Sequence, residues 1–299
     1  MSYRRHANYG MIDGIEKLCP AVESLAIWRR MCRSRYFDLE CDKAVRAKQV
    51  SAVVYLSTGQ ESISASVAGV LQEPIVFTQH RGQAAYLAFG GEPRLIIDEL
   101  LGLETGCCKG MGGAPFLQDK SKKIYGHDCL LGSHVPIAVG AAYVKQGMVV
   151  CFMGDGAVEE DYMYGSMGFA ATHKLSILFV VEDNDLSVLT PTKDRRNWQI
   201  ANVATAMGIA SADITDDPWL VRHHTLDLLP KLPALLNVRT CREFWHAGAG
   251  CDGPAEWNRF EMVRETMRGL GIEVDDVETK AQQEMESLWR ERLQIPSGN

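Results

Sequence analysis

The segment Met148–Pro191 reads MVVCFMGDGAVEEDYMYGSMGFAATHKLSILFVVEDNDLSVLTP, and its reading decides the fold. The apolar run Val149-Val150-Cys151-Phe152-Met153 breaks at Gly154-Asp155-Gly156, and a second run, Ile177 to Val181, ends at Glu182-Asp183-Asn184. Between them, Val158 to His173 has the length of one helix, so the segment predicts a strand-helix-strand unit. The two strands of such a unit run parallel, and their carboxyl ends open on one edge of the sheet, where ligands bind. Asp155 and Asn184 then stand at neighbouring strand tips. A carboxylate and an amide oxygen are hard donors suited to Mg²⁺ or Ca²⁺, and Mg²⁺ commonly completes its octahedron with phosphate oxygens. Taken alone, Gly-Asp-Gly also reads as a turn and Asn184 as a strand-end cap.

Working outward, Leu25 to Leu39 places apolar residues near helical spacing among Arg29, Arg30, Arg33 and Arg35, and predicts an outer helix. Ser62 to Leu71 predicts a closely packed helix, Pro74 to Phe77 a short buried strand leading to His80-Arg81, and Leu95 to Leu101 a further helix. Gly102 to Gly113 reads as a glycine-rich loop, and Pro136 to Lys145 as a small-residue helix. Beyond Asn184 the pattern weakens. Asp194 to Asn202 reads as loop, Val203 to Met207 as a short helix, and Phe260 to Arg292 as charged helical segments at a surface or interface, broken by Gly269 and Gly271.

The chain has 299 residues, 46% hydrophobic and 23% charged, enough for a large core in a single α/β domain over 1–299. A net charge of -7 provides no electrostatic footprint for nucleic acid or an anionic membrane. The pairs Lys122-Lys123 and Arg195-Arg196 are short and read as solvated surface. Arg4 and Arg5 are not followed by the apolar core of a secretory signal, and no run reaches the roughly 18 apolar residues of a membrane span. Nine cysteines, with only Cys107-Cys108 close together and no paired C-x-x-C spacing, predict reduced thiols in a cytoplasmic protein.

Over the whole segment, Gly154-Asp155-Gly156-Ala157, Ala170-Ala171, His173-Lys174-Leu175 and Phe179-Val180-Val181-Glu182-Asp183-Asn184 resemble a known motif. It is the thiamine-diphosphate motif in alpha subunits of the decarboxylase component of 2-oxoacid dehydrogenases. Thr58 to Ser62, His80-Arg81-Gly82, Gly106 to Gly113 and Leu131 to Pro136 extend the likeness, which runs from about Leu25 to Leu293. The resemblance implies a thiamine-diphosphate-binding α/β fold, a mostly parallel sheet with helices on both faces. It implies Mg²⁺ held by Asp155, Asn184 and the main-chain carbonyl of Leu186, and diphosphate held by main-chain amides of Gly156 and Ala157. Arg81 would clamp the diphosphate with His80 beside it. Cys129 and Leu131 match the segment whose backbone holds the aminopyrimidine. The activating Glu would come from a separate beta subunit in an α₂β₂ assembly, so this chain alone is expected to be inactive; its length fits an alpha chain without a fused partner.

The departures concern proton handling. Positions where the resembled family often carries histidine read Tyr55, Gln83 and Phe116, and its His-Gly-His-Ser reads His246-Ala247-Gly248-Ala249. Tyr55 and Gln83 can still donate hydrogen bonds, Gln cannot titrate, and Phe116 does neither. Tyr55, Gln83 and His246 are the candidate catalytic residues. Glu159-Glu160 place two carboxylates near the expected diphosphate, which they would repel unless turned away. The resulting expectation is decarboxylation of a small 2-oxoacid with transfer to a lipoyl carrier protein or, slightly favoured, a carrier-free acceptor. Alternatives are a split transketolase-like ketol transferase and a degenerate structural or regulatory subunit. The loop from Trp245 to Asp252, rich in glycine, is expected to be mobile and to order on cofactor binding.

Overall fold

The computed structural model describes residues 8–50, 52–127, 129–144, 147–248, 250 and 254–295. Helix α1 (Ala21–Arg46) is followed by α2 (Glu61–Val70), β1 (Ile75–Phe77), α3 (Gln83–Ala88) and α4 (Pro93–Leu100). Then come β2 (Ile124–Tyr125), α5 (His134–Tyr143), β3 (Val149–Gly154), α6 (Asp161–His173) and β4 (Ile177–Asp183). A small hairpin, β5 (Leu186–Ser187) and β6 (Thr190–Pro191), leads to α7 (Thr192–Arg195), α8 (Ile200–Ala206), β7 (Ala210–Thr215), α9 (Pro218–Leu228) and β8 (Ala234–Arg239). Helices α10 (Arg259–Gly269) and α11 (Asp275–Leu293) follow.

Six strands form one sheet in the order β2-β1-β3-β4-β8-β7, every neighbour parallel. Central strands β3 and β4 are near-continuous apolar runs because both faces are covered. Alternation sends Val150, Phe152, Leu178, Val180, Leu236 and Val238 into a core shared with α1 to α4, α9 and α11. Val149, Cys151, Met153, Ile177, Phe179 and Val181 enter a second core with α5, α6 and α8. The expected α/β class, with helices on both faces, is therefore the observed one. A third cluster seats α1 on α10, where Trp28 lies 4.5 Å from the Phe260 ring and its indole N–H donates to Val274 O at 3.2 Å. Full burial of each such large side chain contributes about 1.5–3 kcal/mol.

β1 pairs with β2 on one side and β3 on the other, so the strand order reverses between β1 and β3. The loops leaving β1 and β3 diverge there and open a crevice at the carboxyl edge, the place where sheets of this kind bind ligands. Register places Gly154 opposite Glu182, so Asp155 and Asn184 leave adjacent strands at nearly the same level.

Several expectations need correction. The helix after Gly-Asp-Gly is a 3₁₀ turn, Ala157–Glu159, and only then α6, because Glu160 adopts an extended backbone between them. The stretch Asp194 to Asn202, expected as loop, contains the end of α7 and the start of α8, which begins at Ile200 because Ile200, Ala201 and Ala204 are buried. Arg195-Arg196 is no solvated pair: the two side chains are 12% and 4% exposed. Helix α11 is more than a surface element, since Met285 and Trp289 are fully buried, with Trp289 5.5 Å from Phe37. The expected helix through Lys145 is α5, ending at Tyr143; Lys145 itself, Arg4, Arg5, Ala249 and part of the Trp245 to Asp252 loop lie outside the described residues. The eight described cysteines are free thiols, with Cys251 outside that set, and no described helix is long and apolar enough to cross a membrane.

Candidate functional site

A cavity of about 240 Å³ lies at this crevice, lined after β1 by Gln79, His80 and Arg81, at the end of β3 by Gly154, Asp155 and Gly156, just past β4 by Asn184, and from β5 by Leu186. Tyr55, Cys129, Leu131 and His246 also line it. Ten of the sequence-derived candidates thus converge: Tyr55, His80, Arg81, Cys129, Leu131, Asp155, Gly156, Asn184, Leu186 and His246. Two do not reach the wall. Ala157 is buried in the 3₁₀ turn behind Gly156, and Gln83 is fully buried at the start of α3, where neither amide atom finds a partner in the structure.

Local geometry explains why glycine stands at position 156. A Cβ there would lie 2.7 Å from Ser187 Oγ, so the turn after β3 passes directly against the β5 strand. Asn184 is held at both ends of its amide: Nδ2 donates to Gln60 Oε1 at 2.8 Å, and Oδ1 accepts from Leu186 N at 3.1 Å. Val188, a β-branched residue at φ 53°, sits in the left-handed region, and Arg242 Nη2 donates to its carbonyl at 2.7 Å. Such a backbone persists where surrounding contacts over-determine it, and Arg242 is one of them.

Three imidazoles line the cavity. His80 lies 5.7 Å from His246 and 6.0 Å from His127, and the Tyr55 ring stands edge-on to His80 at 4.9 Å and 5.4 Å from His246. Behind them His134 lies 5.0 Å from His127, its Nε2 2.7 Å from Phe152 O. His127 Nδ1 accepts from Cys129 N at 2.8 Å, which leaves Nε2 to carry the proton of the neutral ring. Burial, with Arg81 and the other three imidazoles as lesser causes, holds His80 well below the usual histidine range, so it is neutral at pH 7. The sequence reading singled out His80 and His246. It missed His127, which follows the two-residue strand β2, and Arg242, which follows the unanticipated β8. Phe116 does not line the cavity, though Pro115 does.

Two expected phosphate and pyrimidine contacts have other engagements here. Arg81 donates to Leu56 O at 2.5 Å and to His246 O at 3.2 Å, bridging two loops of the site. The Leu131 carbonyl accepts from the Tyr162 hydroxyl. Deeper in, Gln79 Nε2 donates to the fully buried Glu182, whose carboxyl burial pushes up to about 7 against the opposing effects of Gln79 and Arg81. Among the described residues lining the cavity, Asp155 is the one carboxylate.

The glycine-rich loop, Gly106 to Gly113, wraps a buried acid. Glu99 accepts backbone N–H bonds from Cys108 and Gly110 on one oxygen and from Gly112 and Gly113 on the other, at 2.6–3.0 Å. Ligand atoms of Glu99, Cys107 and Cys108 lie within 4.8 Å of one another, but both carboxylate oxygens are committed to amides and burial pushes Cys107 up to about 12. That chemistry is structural and does not favour a metal.

The sequence profile of the dehydrogenase E1 component family matches residues 29–223. The alpha subunit of the pyruvate dehydrogenase E1 component of Rickettsia bellii is 31% identical over 174 residues, 56% of this chain and 53% of that one. Its counterpart in Zymomonas mobilis is 28% identical over 265 residues, 81% of this chain and 72% of that one. The chain thus spans about half the length of the curated relatives it matches first. Transketolase from Campylobacter jejuni superposes with a TM-score of 0.58 at 14% identity, covering 91% of this chain and 49% of the other, which is a likeness of fold. With the profile covering well over half of the sequence, the chain belongs to the dehydrogenase E1 component family.

Proposed function

We propose that this chain is the diphosphate-side alpha subunit of a two-chain, thiamine-diphosphate-dependent enzyme that decarboxylates a small 2-oxoacid and passes the acyl or aldehyde unit to an acceptor. The observation that carries the reading is the convergence of Asp155, Asn184, Leu186 and Gly156 on one cavity at the crevice between β1 and β3. The names of the relatives, pyruvate dehydrogenase E1 alpha subunits, support it. Hard oxygens from Asp155, Asn184 and Leu186 fit Mg²⁺, and the Cβ-free approach at Gly156 fits a phosphate drawn close to backbone amides.

When bound, thiamine diphosphate supplies the electron sink for loss of CO₂ from a 2-oxoacid. The chain's own residues would bind and handle protons. His80, held neutral, can donate or accept a hydrogen bond without placing a charge beside Arg81. His127 presents its Nε2 proton, and Tyr55 and His246 complete the ring of donors. The cavity falls below the roughly 300–1,000 Å³ typical of sites that enclose a whole small molecule. Among the described residues, its single lining carboxylate is the proposed metal ligand. Both facts support a second chain that supplies the remaining wall and the activating Glu, in an α₂β₂ assembly.

Two positions where the resembled family often carries histidine hold Gln83 and Phe116, neither of which reaches the cavity, and this loss of proton-handling groups favours a carrier-free acceptor over a lipoyl carrier. Reconstitution with the beta partner tests all of this: CO₂ release from a 2-oxoacid is expected only with both chains, Mg²⁺ and thiamine diphosphate. A lipoyl domain and a free aldehyde offered together identify the acceptor. Absence of any cofactor-dependent thermal shift or CO₂ release removes the proposal.

A further inference from the structure

Arg195, from the pair read as surface in the sequence, is lodged against the proposed metal ligand. Its Nη2 donates to Asp155 Oδ2 and, at 3.0 Å, to Thr192 Oγ1, while Nη1 donates to Glu159. Arg196 Nη1 donates to Asp155 O at 2.8 Å and to Glu159 Oε1 at 3.2 Å. The Asp155 and Arg195 side chains are 2% and 12% exposed, so the contact is shielded from solvent and from salt. Two carboxylates meet two guanidiniums, and the group is neutral as a whole. This answers the concern that Glu159 would repel a diphosphate: its charge is already matched.

We propose that Arg195 substitutes for the divalent cation at Asp155 and thereby makes metal binding depend on the diphosphate arriving with it. The inference rests on the reading of Asp155 as a metal ligand. A bare divalent ion entering this group adds two positive charges beside two guanidiniums, in a setting where water screens little. The same ion carried by a diphosphate brings net negative charge, and that penalty disappears. Arg195 has a second carboxylate in hand, so it can release Asp155 and remain on Glu159. The segment that carries it is coupled to the site from the other side as well, because Thr192 N donates to Asp185 O at 2.9 Å, between Asn184 and Leu186.

Mn²⁺, an EPR-visible stand-in for Mg²⁺, tests this on the protein as purified with any partner it retains, without and with thiamine diphosphate. In the unaltered protein Mn²⁺ alone binds weakly, and thiamine diphosphate tightens it at least tenfold. In Arg195→Gln, Mn²⁺ alone binds at least fivefold tighter and the gain from thiamine diphosphate shrinks by the same factor. In Glu159→Gln, where Arg195 has lost its alternative partner, Mn²⁺ alone binds more weakly than in the unaltered protein. Thiamine diphosphate that still tightens Mn²⁺ while Arg195→Gln leaves Mn²⁺-only binding unchanged or weaker overturns the inference and spares the metal site. So does tight Mn²⁺-only binding by the unaltered protein. Failure of Mn²⁺ to bind even with thiamine diphosphate, or binding that survives Asp155→Ala, overturns the metal-site reading and the inference with it.

Discussion

Glu99 and Gly112 are joined by a 2.6 Å hydrogen bond in which the loop backbone donates to the helix carboxylate, one of four such bonds that Glu99 accepts. Glu99 is 1% exposed, and at Gly106 a Cβ would stand 2.6 Å from its Cα, so the loop is wound onto the acid with no room to spare. Glu99→Gln replaces one accepting oxygen by an NH₂ that faces backbone donors. It is expected to destabilise the protein by about 2–3 kcal/mol, since charged acceptors are the stronger ones and the orphaned amides stay buried. Urea unfolding measures this; a loss below about 0.5 kcal/mol would contradict the account of the loop.

The Asp155 and Asn184 pair should behave as one unit toward cofactor. Asp155→Ala and Asn184→Ala are each expected to abolish the Mg²⁺-dependent thermal shift with thiamine diphosphate in the assembled enzyme. Asn184→Ala also releases Gln60, whose Nε2 already lacks a partner, so a small stability loss of about 1 kcal/mol should accompany it. Undiminished cofactor-induced stabilisation in either variant defeats the metal assignment.

Gly156→Ala brings a methyl group to 2.7 Å from Ser187 Oγ and 3.1 Å from its Cβ, closer than unstrained neighbours stand. The expected outcome is weaker cofactor binding and a destabilisation of roughly 1–3 kcal/mol from overpacking. Adding Ser187→Gly removes the clashing atoms and should restore most of the loss. If the double variant is no better than the single one, close approach to β5 is not the reason for glycine at this position.

Asp38 offers a test by pH. Its Oδ2 accepts from Ser57 N, Ser57 Oγ and Thr58 Oγ1, yet burial is the largest influence and pushes the carboxyl up to about 7. The folded protein therefore holds a proton that the unfolded chain, at about 3.9, has lost. Stability from this group is fully present below pH about 4 and is lost as pH rises toward 7, at up to roughly 1.4 kcal/mol per pH unit. Asp38→Asn, which mimics the protonated acid, should flatten that part of the stability profile. Chemical denaturation at pH 5 and pH 7.5 reads the slope, and an unchanged slope rules out Asp38 as its source.

Most of the crevice was legible in the sequence because it is built from contiguous signals. β3 and β4 are apolar runs that end on turn residues, and that pattern alone put Asp155 and Asn184 side by side. What escaped was short or mixed in character. β7, Ala210–Thr215, is an edge strand with four of six residues only half-buried, and β2 has two residues, so neither shows a period. His127 was lost with β2, and Arg242 with β8, Ala234–Arg239, a buried run whose apolar stretch Ala234-Leu235-Leu236 is too brief to show a period before Asn237 and Arg239 interrupt it. Arg195-Arg196 looked solvated because a charge pair carries no mark of the Asp155 and Glu159 that lie about 40 positions earlier. Gln83 shows the opposite limit, a position aligned with a catalytic one whose side chain is packed away from the cavity wall.

The imidazole group described above gathers His80, His127 and His246 from three loops far apart in the chain, with Tyr55 from a fourth. The ring-current shifts they impose on one another by NMR therefore arise only after β1, β2 and β8, which deliver the three imidazoles, have come together. Those resonances would serve as a built-in reporter of long-range docking, silent in any intermediate in which edge strand β2 has not joined β1.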